Sequence, residues 1–176
     1  DANDSFGSST SIIGDVLFVG ACYDDDNGLN TGAVYVFQRD GDTWIEQSKL
    51  TSSDASNRDY FGSSLSVFGE YLVIGAVGNS DVAWRTGAAY IYSWNGSIWD
   101  EQVKLTPSDG EMEDCFGASV AIYDDQVIIG AKCEDSNGED AGAAYFFERE
   151  GDAWFEQAKL IADYGAPLDW FGCSTA

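Results

Sequence analysis

Residues 116–123, FGASVAIY, alternate so that Ala118, Val120 and Ile122 share one face, which is the period of a strand with one covered side. A tight turn at Asp124-Asp125 separates them from QVIIGA, an apolar and β-branched run that predicts a second strand buried on both faces. A longer polar stretch leads to GAAYFF, the third strand. The turn REGD then leads into AWFEQAKL, the fourth. Asp-Gly and Asn-Gly between such runs are strong hairpin signals, and no segment carries a helical period.

The same pattern occurs twice more. Phe-Gly stands at 6, 61, 116 and 171, a spacing of 55 each time. Gly-Ala recurs at Gly20, Gly75 and Gly130, and again at Gly32, Gly87 and Gly142, each of these followed by Tyr35, Tyr90 or Tyr145. Gly41, Gly96 and Gly151 each precede Trp44, Trp99 and Trp154 by three residues. Glu-Gln recurs at 46, 101 and 156, and Lys-Leu at 49, 104 and 159. An Asp stands two residues before every Phe-Gly, at Asp4, Asp59, Asp114 and Asp169. Gly14-Asp15 and Gly69-Glu70 match the Asp124-Asp125 turn. Four antiparallel strands at a fixed period describe propeller blades. Small residues at Gly7, Ser8 and Ser9 suit the crowded strand nearest an axis, and the three tryptophans are expected to pack between neighbouring blades.

Phe-Gly, Gly-Ala and Gly-Ala-x-Tyr in this order resemble the FG-GAP repeat family, whose repeats build integrin-α-like β-propellers. The resemblance covers essentially the whole chain. It implies an all-β fold with three four-stranded blades, at 6–60, 61–115 and 116–170. Residues 1–5 would end a preceding repeat and 171–176 would begin another. Family members usually close a ring of about seven blades, and three cannot close one. The expectation is therefore a portion of a larger propeller; blades from several chains completing one ring is the alternative. Many members carry an Asp-x-Asp-x-Asp-Gly calcium loop between the first two strands. Only two turn residues stand there in each repeat, so calcium is not expected at that loop.

Charge narrows the partners. The 31 acidic and 8 basic residues leave a formal −23, which repels nucleic acid and anionic lipid and favours cations or a basic protein surface. No apolar run approaches the roughly 18 residues that span a bilayer. The connection after the second strand is acidic in the first repeat (Asp24, Asp25, Asp26, Asn27) and in the third (Glu134, Asp135, Asn137, Glu139, Asp140). Carboxylates at Asp24, Asp26, Glu134 and Asp135 are the candidate cation ligands, with solvated acidic loops as the plainer reading. The middle repeat carries Trp84 and Arg85 there instead.

Four cysteines break the period. Cys115 and Cys133 lie nearly symmetrically about the Asp124-Asp125 turn and form the candidate disulfide, which would favour an oxidising compartment; Cys22 and Cys173 have no evident mate. Asn95-Gly96-Ser97 and Asn3-Asp4-Ser5 fit the N-glycan acceptor pattern, Asn95 on an expected hairpin tip. With no histidine in the chain, Ser-His and Cys-His nucleophiles and ordinary zinc sites are absent from it, and no phosphate-cradling glycine loop occurs. No cofactor is expected.

The expected function is a non-enzymatic, extracellular or lumenal binding or scaffold module that meets a protein or a glycan in the manner of an adhesion domain. Loops 22–31, 77–86 and 132–141 vary most between repeats and are the candidate contact surface, with Asp24, Asp25, Asp26, Asn27, Trp84 and Arg85 as its named residues. Two alternatives stand beside it. One is a structural subunit of a larger fibre or membrane-associated complex. The other is the non-catalytic part of an enzyme whose active site lies elsewhere.

Overall fold

The computed structural model describes residues 3–176, so Asp1 and Ala2 of the expected leading segment 1–5 lie outside the described residues. Each repeat forms one antiparallel four-stranded sheet with its strands in chain order. The first holds β1 (Phe6–Ile13), β2 (Val16–Ala21), β3 (Ala33–Asp40) and β4 (Thr43–Leu50). The second holds β5 (Phe61–Phe68), β6 (Tyr71–Ala76), β7 (Ala88–Trp94) and β8 (Trp99–Leu105). The third holds β9 (Phe116–Tyr123), β10 (Gln126–Ala131), β11 (Ala143–Glu150) and β12 (Ala153–Leu160). These are three propeller blades, with no helix among the described residues.

Why the inner strands are apolar on both faces is clearest in the middle blade. Leu72, Ile74, Tyr90 and Tyr92 join Phe18, Val34 and Val36 of the first blade in one core. Val73, Ala89 and Ile91, pointing the other way, join Val120, Ile122, Val127 and Ile129 of the third. Successive side chains of a strand alternate faces, so a blade between two others needs both faces apolar. Phe61 and Phe116 are fully buried in these two cores. Two of the three tryptophans pack between blades, Trp99 meeting Phe18 edge-on at 5.0 Å and Trp154 meeting Tyr71 of the second blade at 6.1 Å, whereas Trp44, on the outer face of the first blade, is exposed.

Polar contacts repeat with the period too. The Phe61 and Phe116 amides donate to Thr31 (3.0 Å) and Thr86 (2.7 Å) of the preceding blade. Ser9 donates to the Gly62 carbonyl at 2.7 Å, Ser64 to Gly117 at 2.8 Å and Ser119 to Gly172 at 2.8 Å. The recurring Glu clasps the tail of the blade before it: Glu101 accepts from the amide and hydroxyl of Ser53 (2.8 and 2.7 Å), and Glu156 likewise from Ser108. The Asp before Phe-Gly caps its own loop, Asp59 accepting from the Ser56 amide at 2.8 Å and Asp114 from Glu111 at 2.6 Å.

In a meander of this kind the two-residue hairpins fall on one edge. The β2–β3, β6–β7 and β10–β11 loops fall on the other, together with the connections between blades. The first hairpin turn of each blade opens with a left-handed residue, Gly14, Gly69 or Asp124, at φ near 55° to 58°. That conformation is natural for Gly and tolerated by Asp.

Candidate functional site

The connecting-loop edge is built around one lysine per blade, the Lys of each Lys-Leu. Lys49 contacts Asp24 (2.7 Å) and Asp26 (2.6 Å), while the Tyr35 hydroxyl donates to Asp24 at 2.9 Å. Lys104 contacts Asp54 (2.8 Å) and Asp81, with Tyr90 donating to Asp54 at 2.7 Å. Lys159 contacts Asp109 (2.6 Å) and Glu134 (2.8 Å), with Tyr145 donating to Asp109 at 2.9 Å. Each ammonium sits 5.3 to 5.5 Å from the centre of its tyrosine ring. Asp54 and Asp109 come from the connection that follows the previous blade, so the second and third clamps tie a loop to a neighbour.

Protonation follows from these contacts. Burial on its own would lower the lysines, but the hydrogen bonds they donate to the carboxylates carry Lys49, Lys104 and Lys159 above their ordinary value. Burial likewise opposes ionisation of Asp54 and Asp109, yet the lysine and tyrosine hydrogen bonds hold both below the usual carboxylate range. Burial raises Asp59 and Asp114. A depressed carboxyl stabilises the fold above its unfolded value, and this is lost as pH falls through its folded one. Asp54→Asn is accordingly expected to lower the melting temperature by about 2 °C at pH 7, small because the pair is partly exposed, and by less near pH 2. Thermal scans at the two pH values check this; a deficit unchanged in acid would contradict it.

These clamps bear directly on the candidate metal ligands. Asp24, Asp26 and Glu134 already face an ammonium, and Asp135, exposed, accepts from the Asp140 amide at 2.7 Å. Among the described residues no group of three or more His, Cys, Asp or Glu is arranged to hold a metal ion. Asp25 and Asn27 are exposed on the outer turn of the first loop. Cys115 and Cys133 come together, the Cys133 amide donating to the Asp114 carbonyl at 3.2 Å, but as free thiols rather than a cross-link. Burial and the neighbouring Cys115 push the Cys133 thiol up to about 12. Cys22 and Cys173 are free as well. Asn95 is exposed on its hairpin tip, although its carbonyl oxygen already accepts from the Ser97 and Ile98 amides at 3.0 Å; Asn3 is also exposed.

Trp84 and Arg85 do meet a cleft. It is about 650 Å³, between the first and second blades, and Leu29, Arg58, Tyr60 and Ser80 line it with them. Asp25, Asp26 and Asn27 are not part of its wall. Arg85 stacks over the Trp84 ring at 5.7 Å, and Tyr23 meets Tyr60 edge-on at 5.4 Å. Arg58 and Tyr60 are missing from the sequence reading; the available signal was that Arg58 stands where the other repeats have Asn3, Glu113 and Leu168. A second cleft of about 400 Å³, on the hairpin edge among Ile13, Val36, Leu50, Trp94 and Trp99, has no charged lining.

The model of the FG-GAP repeat matches residues 1–37, 44–92 and 99–147, one match per blade and well over half of the chain. The chain belongs to the FG-GAP repeat family. Its FG-GAP blades also resemble solved structures in fold. Sqt1 of Saccharomyces cerevisiae matches with a TM-score of 0.58 at 11% identity, over 94% of this chain and 38% of that one. A europium-containing methanol dehydrogenase matches with a TM-score of 0.58 at 8% identity, over 92% and 26%. The FG-GAP chain thus spans well under half the length of either, and identities this low speak to fold alone. No curated protein matches it in sequence. No helix among the described residues is long and apolar enough to cross a membrane.

Proposed function

We propose that these FG-GAP blades form a non-enzymatic binding module, extracellular or lumenal, whose connecting-loop edge meets a protein or glycan partner. One observation carries the reading: every repeat spends its constant Lys and Tyr, with a carboxylate supplied from differing places, on fixing that edge, while the residues displayed outward from it differ in each repeat. A rigid frame with variable loops suits recognition, and a surface of −23 suits a partner with a basic patch. A larger ring, of about seven blades, is part of the same proposal. Its support is the exposed apolar side chains at the two ends of the blade stack, Phe6 and Phe171, whose counterparts Phe61 and Phe116 between blades are fully covered.

Arrays of immobilised glycans and matrix proteins test the binding reading. The triple variant Asp25→Ala, Trp84→Ala, Glu139→Ala is expected to lose at least tenfold in binding, and the hairpin-edge triple Asp42→Ala, Ser97→Ala, Asp152→Ala to lose nothing. Equal binding by the loop variant would overturn it.

A further inference from the structure

Half of the basic side chains are spent on ion pairs: Lys49, Lys104, Lys159 and Arg149. Arg58 and Arg85 are not among them, in a chain with 31 carboxyl side chains. They share one cleft, and no described carboxylate is ion-paired with either, although Arg85 also borders a neighbouring cleft of about 390 Å³ whose wall includes Glu113, Asp135, Glu139 and Asp140. The Arg85 Nε is buried without a hydrogen-bond partner. An unpaired buried donor is costly, and two guanidinium groups sharing one wall repel.

Backbone conformation sharpens the point. Arg58 (φ 70°) and Arg85 (φ 55°) both occupy left-handed positions that the fold imposes in every repeat. At the Arg85 place the other repeats use Asn30 and Asp140, residue types that adopt this conformation at less cost, whereas at the Arg58 place they use Asn3, Glu113 and Leu168. Arginine stands at neither place in any other repeat, and the two that do occur face each other across the junction of the first and second blades. Such an outlier points from strain toward function.

We propose that the cleft binds a sugar carrying a single carboxylate, a uronic acid or a chain end bearing one. This rests on the binding-module reading and names its ligand. Arg58 and Arg85 would take the carboxylate, for which the planar guanidinium fork is suited. The exposed Trp84 ring offers a face for the sugar's C–H surface, and Ser80 and Asn57 supply polar partners for hydroxyls. The −23 field decides against a polyanion such as a heavily sulfated chain, since every further negative charge meets net repulsion outside the cleft. Its occupant carries one charge and a small body.

The test follows the Trp84 indole and backbone amides by NMR during titration with galacturonic acid, galactose and acetate. Galacturonic acid is expected to bind saturably, at least tenfold more tightly than either control, with shifts confined to residue 29 and residues 57–60 and 78–85. Arg58→Asn and Arg85→Asn should each weaken it at least tenfold. Both insert the repeat's own residue at that position, so the fold is kept, and unchanged shifts elsewhere verify it. Acetate binding as tightly would overturn the sugar assignment. Galactose binding as tightly would overturn the role of the arginines, and no saturable shift would overturn the site. Continued array binding by a protein that ignores galacturonic acid would sink this proposal alone and leave the binding-module reading in place.

Discussion

Gly75→Ala is expected to lower stability by about 3–5 kcal/mol, enough to cut the melting temperature by roughly 10 °C or to prevent folding. Gly75 lies near the end of β6, and a methyl group there would run into the carbonyl oxygen of Gly117 and the hydroxyl of Ser64. Neither neighbour can yield cheaply. The carbonyl belongs to the backbone of the next blade and already accepts the Ser64 hydrogen bond at 2.8 Å. Gly117 is itself pressed against the Ala88 carbonyl at φ 86°, so it has no room to retreat. The methyl therefore costs overpacking plus a lost interblade hydrogen bond of about 1 kcal/mol. Gly41→Ala is the control. Nothing lies within 4 Å of its side-chain position, and only its φ of 60° resists, a cost of about 1 kcal/mol. Equal losses in urea denaturation would mean that the blades do not approach as closely as described.

Phe116→Ala is expected to cost about 3–5 kcal/mol, and Phe6→Ala under about 1 kcal/mol, although the two residues hold the same place in their repeats. Their contacts within the blade are nearly identical: Phe116 meets Tyr145 and Phe147 at 5.3 and 6.1 Å, and Phe6 meets Tyr35 and Phe37 at 5.4 and 6.2 Å. The difference is the neighbour. Phe116 is fully buried against the second blade, whereas Phe6 is 59% exposed on the outer face of the first. Area removed from water, at about 25 cal/mol per Å², accounts for the gap. Similar losses for both substitutions would show that the blades are stabilised from within and scarcely by stacking.

Much of this was legible because the period made it so. A fixed 55-residue repeat places equivalent residues in equivalent contacts, so Trp99 and Trp154 could be assigned to blade junctions before their partners were known. The apolar run of β6 likewise announced two covered faces. What the repeat also displayed, without its meaning, was Lys-Leu. Lys104 reads as a solvated strand end until Asp54 arrives from the connection before its own blade. The acidic loops read as candidate cation ligands for the same reason: Asp24, Asp26 and Glu134 face the chain's own lysines, distant in sequence. Arg58 and Arg85 were harder still. They stand 27 residues apart and meet only because the loop entering the second blade crosses the one leaving its second strand. The Cys115–Cys133 proximity was readable from hairpin symmetry, while the state of the thiols was not.

The most direct test of the connecting-loop edge as the contact face is photo-crosslinking from chosen positions in the protein's native extract. A benzophenone side chain at Val82, on the connecting-loop edge, is compared with one at Ser97, on a hairpin tip. The expected result is a partner adduct from position 82 that free galacturonic acid diminishes, and none from position 97. An adduct from position 97 alone, or equal adducts from both, would contradict the assignment of the contact face.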